Sequence, residues 1–198
     1  MRERTPEPAP DITERIAERV RSLRSARGLT LDQLAERCGV SRAMLSRIER
    51  GESSPTAVML DRVASGLNTS LASLFDAPPS AAPLHRRAEQ SSWRDPASGY
   101  VRRNLSPPGC DSRLQLVEVT FPGGARVAYD SPPRAGGIDQ QVWMLQGELE
   151  ISVGDEHYAL RAGDCLLMRL DRPIVFHNAA NTAARYLVAT VTGTGHRS

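Results

Sequence analysis

The 198 residues carry 25 basic and 23 acidic side chains, a formal net charge of +2, and 40% apolar residues. That length allows one large or two small domains, and the balance excludes a protein drawn to nucleic acid or membrane by bulk charge. Cys38, Cys110 and Cys165 are far apart with no C-x-x-C, which argues against a disulfide framework or a zinc site and fits a reducing compartment.

All 25 basic residues are arginine, which coding bias explains without function. Any nucleic-acid-binding patch must come from arrangement, because the charge stays close to balance along the chain. The N-terminus is rich in Arg, Glu and Pro and lacks the apolar segment of a signal peptide. No apolar run reaches membrane-spanning length. The expectation is a soluble cytoplasmic protein with no membrane partner.

Residues 1–10, with three prolines, read as a disordered tail. Ile12, Ile16, Val20 and Leu23 then recur every three or four residues, an amphipathic helix running to about Arg27 and stopped by Gly28. Thr30 and Gln33 form a capping-box pattern that opens a second helix, with Leu31, Leu34 and Ala35 inside and an end at Cys38-Gly39. A third helix follows after a tight turn, capped by Ser41 and ended by Gly51. Leu45 and Ile48 share its inner face, and Arg42, Ala43, Ser46, Arg47 and Arg50 fall on the other side. Two short helices joined this way are a helix-turn-helix by spacing. Ser54-Pro55 predicts a fourth helix, with Ser54 as cap, Pro55 at the first helical position and Leu60, Val63, Ala64 and Leu67 inside. Leu71, Leu74 and Phe75 predict a short fifth.

Residues 16–75 resemble the lambda-repressor-like (Xre) helix-turn-helix family. The resemblance rests on Gly28-Leu29-Thr30-Leu31, Gln33-Leu34-Ala35-Glu36, Gly39-Val40-Ser41, Leu45-Ser46-Arg47-Ile48-Glu49-Arg50-Gly51 and Ser54-Pro55-Thr56. It implies a five-helix bundle whose third helix enters the major groove of double-stranded DNA, bound as a homodimer on a palindromic operator. It places Arg42, Ala43 and Arg47 against bases, and Thr30, Gln33, Ser41, Met44, Ser46 and Arg50 at the rim or on phosphates. Glu49 matches a position used for internal pairing. The competing reading of the arginines is a solvated face paired with Glu49 and Glu52.

Residues 77–90 are Pro-rich and then basic, a semi-extended linker between residues 11–76 and a second domain over 91–198. Trp93 and Tyr100 would begin that domain as a first strand or arm. From Leu105 onward, short apolar runs alternate with Gly, Pro and Asp turns. Strands are expected at 114–121, 141–145, 148–153, 157–160, 165–168, 174–178 and 185–191, an antiparallel sandwich or barrel. The fold class is therefore α + β in two domains.

Phe121-Pro122-Gly123-Gly124, residues 142–150 and Ala162-Gly163-Asp164 make the second half resemble a cupin, a double-stranded β-helix or jelly roll. Many cupins hold a metal with two His and a Glu in one motif and a His in another. Here the two His positions fall in 133–136, which has none; the Glu position, seven before Gly147, is Gln140; the last His position is Ile174. An amide and a hydrocarbon are poor ligands for these ions. His177 is three residues beyond Ile174, on the other face of a strand. His85, His157 and His196 have no partner at ligand spacing, and His177 with Cys165 or Ser152 makes no ordered nucleophile–base pair. The expectation is no metal, no cofactor, no catalytic residue and no enzymatic activity. Alternation points Gln140, Val142, Met144, Ile174 and Phe176 inward, and with Tyr129 they would line a pocket for a small organic effector. The competing reading is that they simply fill the barrel. Two other readings remain open: a metal-dependent enzyme fused to a helix-turn-helix, and an antitoxin-like interaction module.

Overall fold

The computed structural model describes residues 12–75, 82–109, 112–132 and 137–192. The expected tail at 1–10, the first part of the linker, residues 133–136 and His196 lie outside them.

Four helices form the N-terminal half: α1 (Ile12–Ala26), α2 (Leu31–Cys38), α3 (Arg42–Glu49) and α4 (Ala57–Gly66). In α1, Ile16, Ala17 and Val20 are buried, the stripe that the period predicts. The capping box of α2 is in place. Thr30 Oγ1 accepts from the Gln33 N–H at 3.1 Å and Gln33 Oε1 accepts from the Thr30 N–H at 2.9 Å. Gly39 ends α2 in the left-handed conformation, and its N–H returns to the Ala35 carbonyl at 2.9 Å. Where α2 and α4 cross, a Cβ on Gly66 would lie 2.8 Å from the Cys38 Cβ, so this contact requires glycine.

The helical half departs from the sequence expectation at two points. The cap of α4 is Thr56, whose Oγ1 accepts from the Met59 N–H at 3.3 Å; Ser54 and Pro55 precede the helix. The Ala57 N–H at its first turn donates to Asp95 Oδ1 at 2.9 Å, a partner from the other half of the chain. The fifth helix is a four-residue 3-10 turn, Ala72–Phe75, so the bundle has four α-helices among the described residues. Ser70 Oγ accepts from the Ser73 N–H at 3.1 Å and starts the turn, and Phe75 leaves it to pack on the barrel before a full α-turn forms.

Ten strands follow: β1 (Ser92–Arg94), β2 (Val101–Asn104), β3 (Leu114–Phe121), β4 (Arg126–Tyr129), β5 (Ile138–Gln146), β6 (Glu148–Val153), β7 (Glu156–Arg161), β8 (Cys165–Arg169), β9 (Ile174–His177) and β10 (Ala184–Thr192). They form a six-stranded antiparallel sheet, β1-β2-β3-β10-β5-β8, and a four-stranded one, β4-β9-β6-β7. Phe176 of the smaller sheet stacks on Tyr186 of the larger at 6.2 Å, which places the two face to face in an antiparallel β-sandwich. Alternation decides the interior. Leu149, Ile151 and Val153 of β6 are buried, while Glu148 and Glu150 point out. The strand β4 was not expected; its four residues are too short to show alternation.

The halves dock directly. Phe75 packs on Trp93 with ring centroids 5.3 Å apart, and the Arg102 guanidinium lies 4.2 Å from the centre of the Phe75 ring. The Phe75 carbonyl accepts from Asn104 Nδ2 at 3.0 Å, and Ser70 Oγ donates to Gln115 Oε1 at 3.2 Å. Arg62 of α4 pairs with Asp130 at 2.9 Å. Within the expected linker, residues 82–90 hold to the barrel through the His85 ring, whose Nδ1 bonds the Leu105 carbonyl at 3.2 Å.

Candidate nucleic-acid interface and barrel cavity

The helix α3 is held from behind and left open in front. Leu45 and Ile48 are buried, and Ser41 Oγ accepts from the Met44 N–H at 3.2 Å. Glu49 is also buried and faces Arg24 of α1 in a two-toothed pair, Nε to Oε1 at 2.6 Å and Nη2 to Oε2 at 2.8 Å. Arg24 Nη1 also donates to the Leu29 carbonyl at 2.8 Å, and its Glu49 hydrogen bond raises the guanidinium pKa. One arginine thus ties α1, the turn before α2 and α3 together.

The outer side carries the residues expected to meet DNA. Thr30, Gln33, Ser41, Arg42, Ala43, Arg47 and Arg50 are exposed, and Met44 and Ser46 are half-buried at the edge. The arginines do not pair with Glu49. Arg42 Nε meets Asp32 Oδ1 at 3.1 Å, Arg47 Nη2 donates to the Glu52 carbonyl at 3.2 Å, and Arg50 meets Glu52 at 2.7 Å and also the Ser46 hydroxyl. The Arg50 hydrogen bond holds the Glu52 carboxyl below its ordinary range. Exposed pairs of this kind contribute little, so a phosphate or a guanine edge displaces them at small cost.

The barrel contains a cavity whose lining differs from the expected set. This cavity of about 90 Å³ has Tyr129, Gln140, Ile174 and Phe176 in its wall. Val142 and Met144 do not line it; they are 0% and 1% exposed and fill the core further along β5. Rings close around the space. Tyr100, Phe121, Tyr186, Phe176 and Tyr129 follow one another at centroid distances of 5.8, 6.4, 6.2 and 6.0 Å. The hydroxyls of Tyr129 and Tyr100, 3.1 Å apart, complete the circuit. Burial pushes all three tyrosine pKa values up, so the hydroxyls stay protonated and can donate.

The sequence reading missed the rest of the wall. Asp61 of α4, Ser70, Leu71 and Ala72 close the cavity from the helical half, and Arg102 joins from β2. A signal for Asp61 was present: it lies on the apolar face of α4 with Ala57, Leu60 and Ala64. Arg102 gave none, because its surroundings depend on the docking.

The residues at the cupin ligand positions do not suit a metal. Residues 133–136 are Pro-Arg-Ala-Gly in sequence and lie outside the described residues; Gln140 and Ile174 both face the cavity. His177 points away from it, its Nδ1 2.9 Å from Glu150 Oε2. His157 pairs with Ser152 Oγ at 2.8 Å on an exposed surface. Among the described residues no three His, Cys, Asp or Glu side chains are grouped to hold an ion, and no helix is long and apolar enough to cross a membrane.

A helix-turn-helix family model, HTH_3, matches residues 20–74, which span α2 and α3. Residues 20–74 form a helix-turn-helix domain of the HTH_3 kind. Over 84% of its length the chain is 29% identical to the HTH-type transcriptional regulator SutR of Escherichia coli (strain K12), covering 89% of that protein. It is 36% identical over 62 residues to the regulator SinR of Bacillus subtilis (strain 168), which is 31% of this chain and 56% of SinR. The crystal structure of an HTH_3 family transcriptional regulator from Vibrio cholerae shares the fold, with a TM-score of 0.74 at 28% identity over 92% of this chain and 98% of that one.

The Arg24–Glu49 pair makes one prediction. Glu49→Ala leaves the part-buried Arg24 guanidinium without its carboxylate and lowers stability by about 2 kcal/mol in urea titration. An unchanged midpoint would mean that the pair does not hold α3.

Proposed function

We infer that this protein is a sequence-specific DNA-binding transcriptional regulator. It acts as a homodimer whose barrel is the control element. The observation that carries this reading is α3, fixed from behind by Leu45, Ile48 and Glu49 and open in front at Ser41, Arg42, Ala43, Arg47 and Arg50. Small residues at 41 and 43 allow close approach, and the arginines suit guanine edges and phosphates. Thr30 and Gln33, at the start of α2, suit the backbone beside the groove, as do Met44 and Ser46 at the rim.

One copy offers few charges, so two copies on a palindromic operator are needed, with half-sites about 34 Å apart. The outer face of the six-stranded sheet suits a second copy of the chain. Leu114, Trp143 and Leu167 are 42%, 50% and 65% exposed there, beside Leu116, Leu187 and Val191. The rim is charge-balanced, with Arg169 on Asp139 at 3.3 Å and Arg103 on Glu118 at 2.5 Å, so two such faces meet without net repulsion.

The barrel is read as a sensor and not as an enzyme. Gln140 and Ile174 supply neither carboxylate nor imidazole, and the cavity that they line with Tyr129 and Phe176 suits a small organic effector. Such an effector acts by its different affinity for DNA-competent and incompetent arrangements.

Two measurements test the reading. Selection of bound DNA from random sequence should return a palindrome, and Arg47→Ala should weaken it by about 1–3 kcal/mol and relax one base position. Unchanged affinity and preference would remove α3 as the reader. Trp143→Glu should convert a dimer to a monomer in sedimentation; a dimer that persists would place the interface elsewhere.

A further inference from the structure

The cavity belongs to neither half alone. Asp61 reaches it from α4 and Arg102 from β2, each 6% exposed. Among the lining residues these are the charged ones, and their signs are opposite. The remaining wall is mostly aromatic and aliphatic, with hydroxyls and one amide.

That balance selects by charge. An ion that enters brings a net charge into a wall whose own charges already cancel, and it leaves its hydration behind. A molecule of zero net charge avoids that cost. One with both signs on it can meet each wall charge with its complement. The tyrosine faces add to the attraction for an ammonium group. Size narrows the choice further. At about 90 Å³ the space is below the roughly 150 Å³ cavity that accepts benzene, so the occupant has few heavy atoms.

We propose that this cavity binds a compact zwitterion of small amino-acid size, bridging Asp61 of the DNA-binding half and Arg102 of the barrel. The proposal rests on the sensing reading and adds the ligand class and its position between the halves. The ammonium group meets the Asp61 carboxylate, the carboxylate meets the Arg102 guanidinium, and the ring circuit holds the apolar part. Because the occupant touches both halves, its affinity and their docking are coupled.

The test is calorimetry on the full chain with six probes. Glycine and alanine are the zwitterions, propionate and isobutyrate the anions, propylamine and isobutylamine the cations. The zwitterions should bind at least about tenfold more tightly than either ion class, as expected when each buried charge meets a hydrogen-bonded complement. Asp61→Asn, of nearly the same shape, leaves Arg102 unbalanced and should move the preference to propionate and isobutyrate. Ile174→Phe fills the cavity from the barrel side and should abolish binding of every probe. If probes bind and Ile174→Phe abolishes binding, but charge class and Asp61→Asn make no difference, the zwitterion proposal is overturned and the sensing reading stands. If none of the six binds the wild-type chain, the ligand class is wrong. The sensing reading is then decided separately, by repeating the DNA selection with a small-molecule extract, where an unchanged operator affinity counts against it.

Discussion

The structure depends on how Phe75 is held. Its ring is buried against Trp93 and covered by the Arg102 guanidinium, and its carbonyl accepts from Arg15 of α1 at 3.3 Å and Asn104 of β2 at 3.0 Å. A single residue at the end of the helical half thus meets a helix, two strands and a wall of the cavity. Truncating such a buried ring costs about 3–5 kcal/mol in a typical core. The Ala57–Asp95 and Ser70–Gln115 hydrogen bonds add directional contacts between the halves. Asp95 is 2% exposed and also accepts from the Ser98 hydroxyl at 2.6 Å and the Ser98 N–H at 2.9 Å, so its carboxylate is well satisfied where it meets the Ala57 N–H of α4.

This docking ties the barrel mechanically to α3. From the cavity the path runs through Asp61 to α4, which packs on α2, and α2 is joined to α3 by a tight turn. Arg24 and Glu49 then fix α3 to α1. No element in that path is a free linker. A change in the cavity that shifts α4 therefore moves the exposed arginines of α3 relative to the barrel.

The helical half was legible because its signals are local. Thr30 with Gln33, Ser41 as cap, Gly39 as stop and the Leu45–Ile48 stripe each act within one or two turns of chain. The errors had local causes too: Ser54-Pro55 imitates a helix start, but Thr56 takes the cap. In the barrel, period-two alternation separated Gln140, Ile174 and Phe176 from the outer residues, yet it did not distinguish Val142 and Met144, which face the same way but lie deeper. Alternation gives a side, not a depth. What sequence did not give was the docking. Asp61, Ser70 and Arg102 come together from positions up to 41 residues apart, and nothing short-range records it. A Pro-rich segment between two domains suggested a spacer, whereas the contacts beyond it hold the domains together.

The central claim is that the two halves are one cooperative unit joined at Phe75 and the shared cavity. Urea unfolding followed by two probes tests it most directly. Far-UV ellipticity at the helix band reports chiefly on α1 to α4, and tryptophan fluorescence reports on Trp93 and Trp143, both in the barrel half. Coincident transitions with one midpoint are expected. Two separate transitions, with the helical signal lost while the fluorescence stays native, would contradict it.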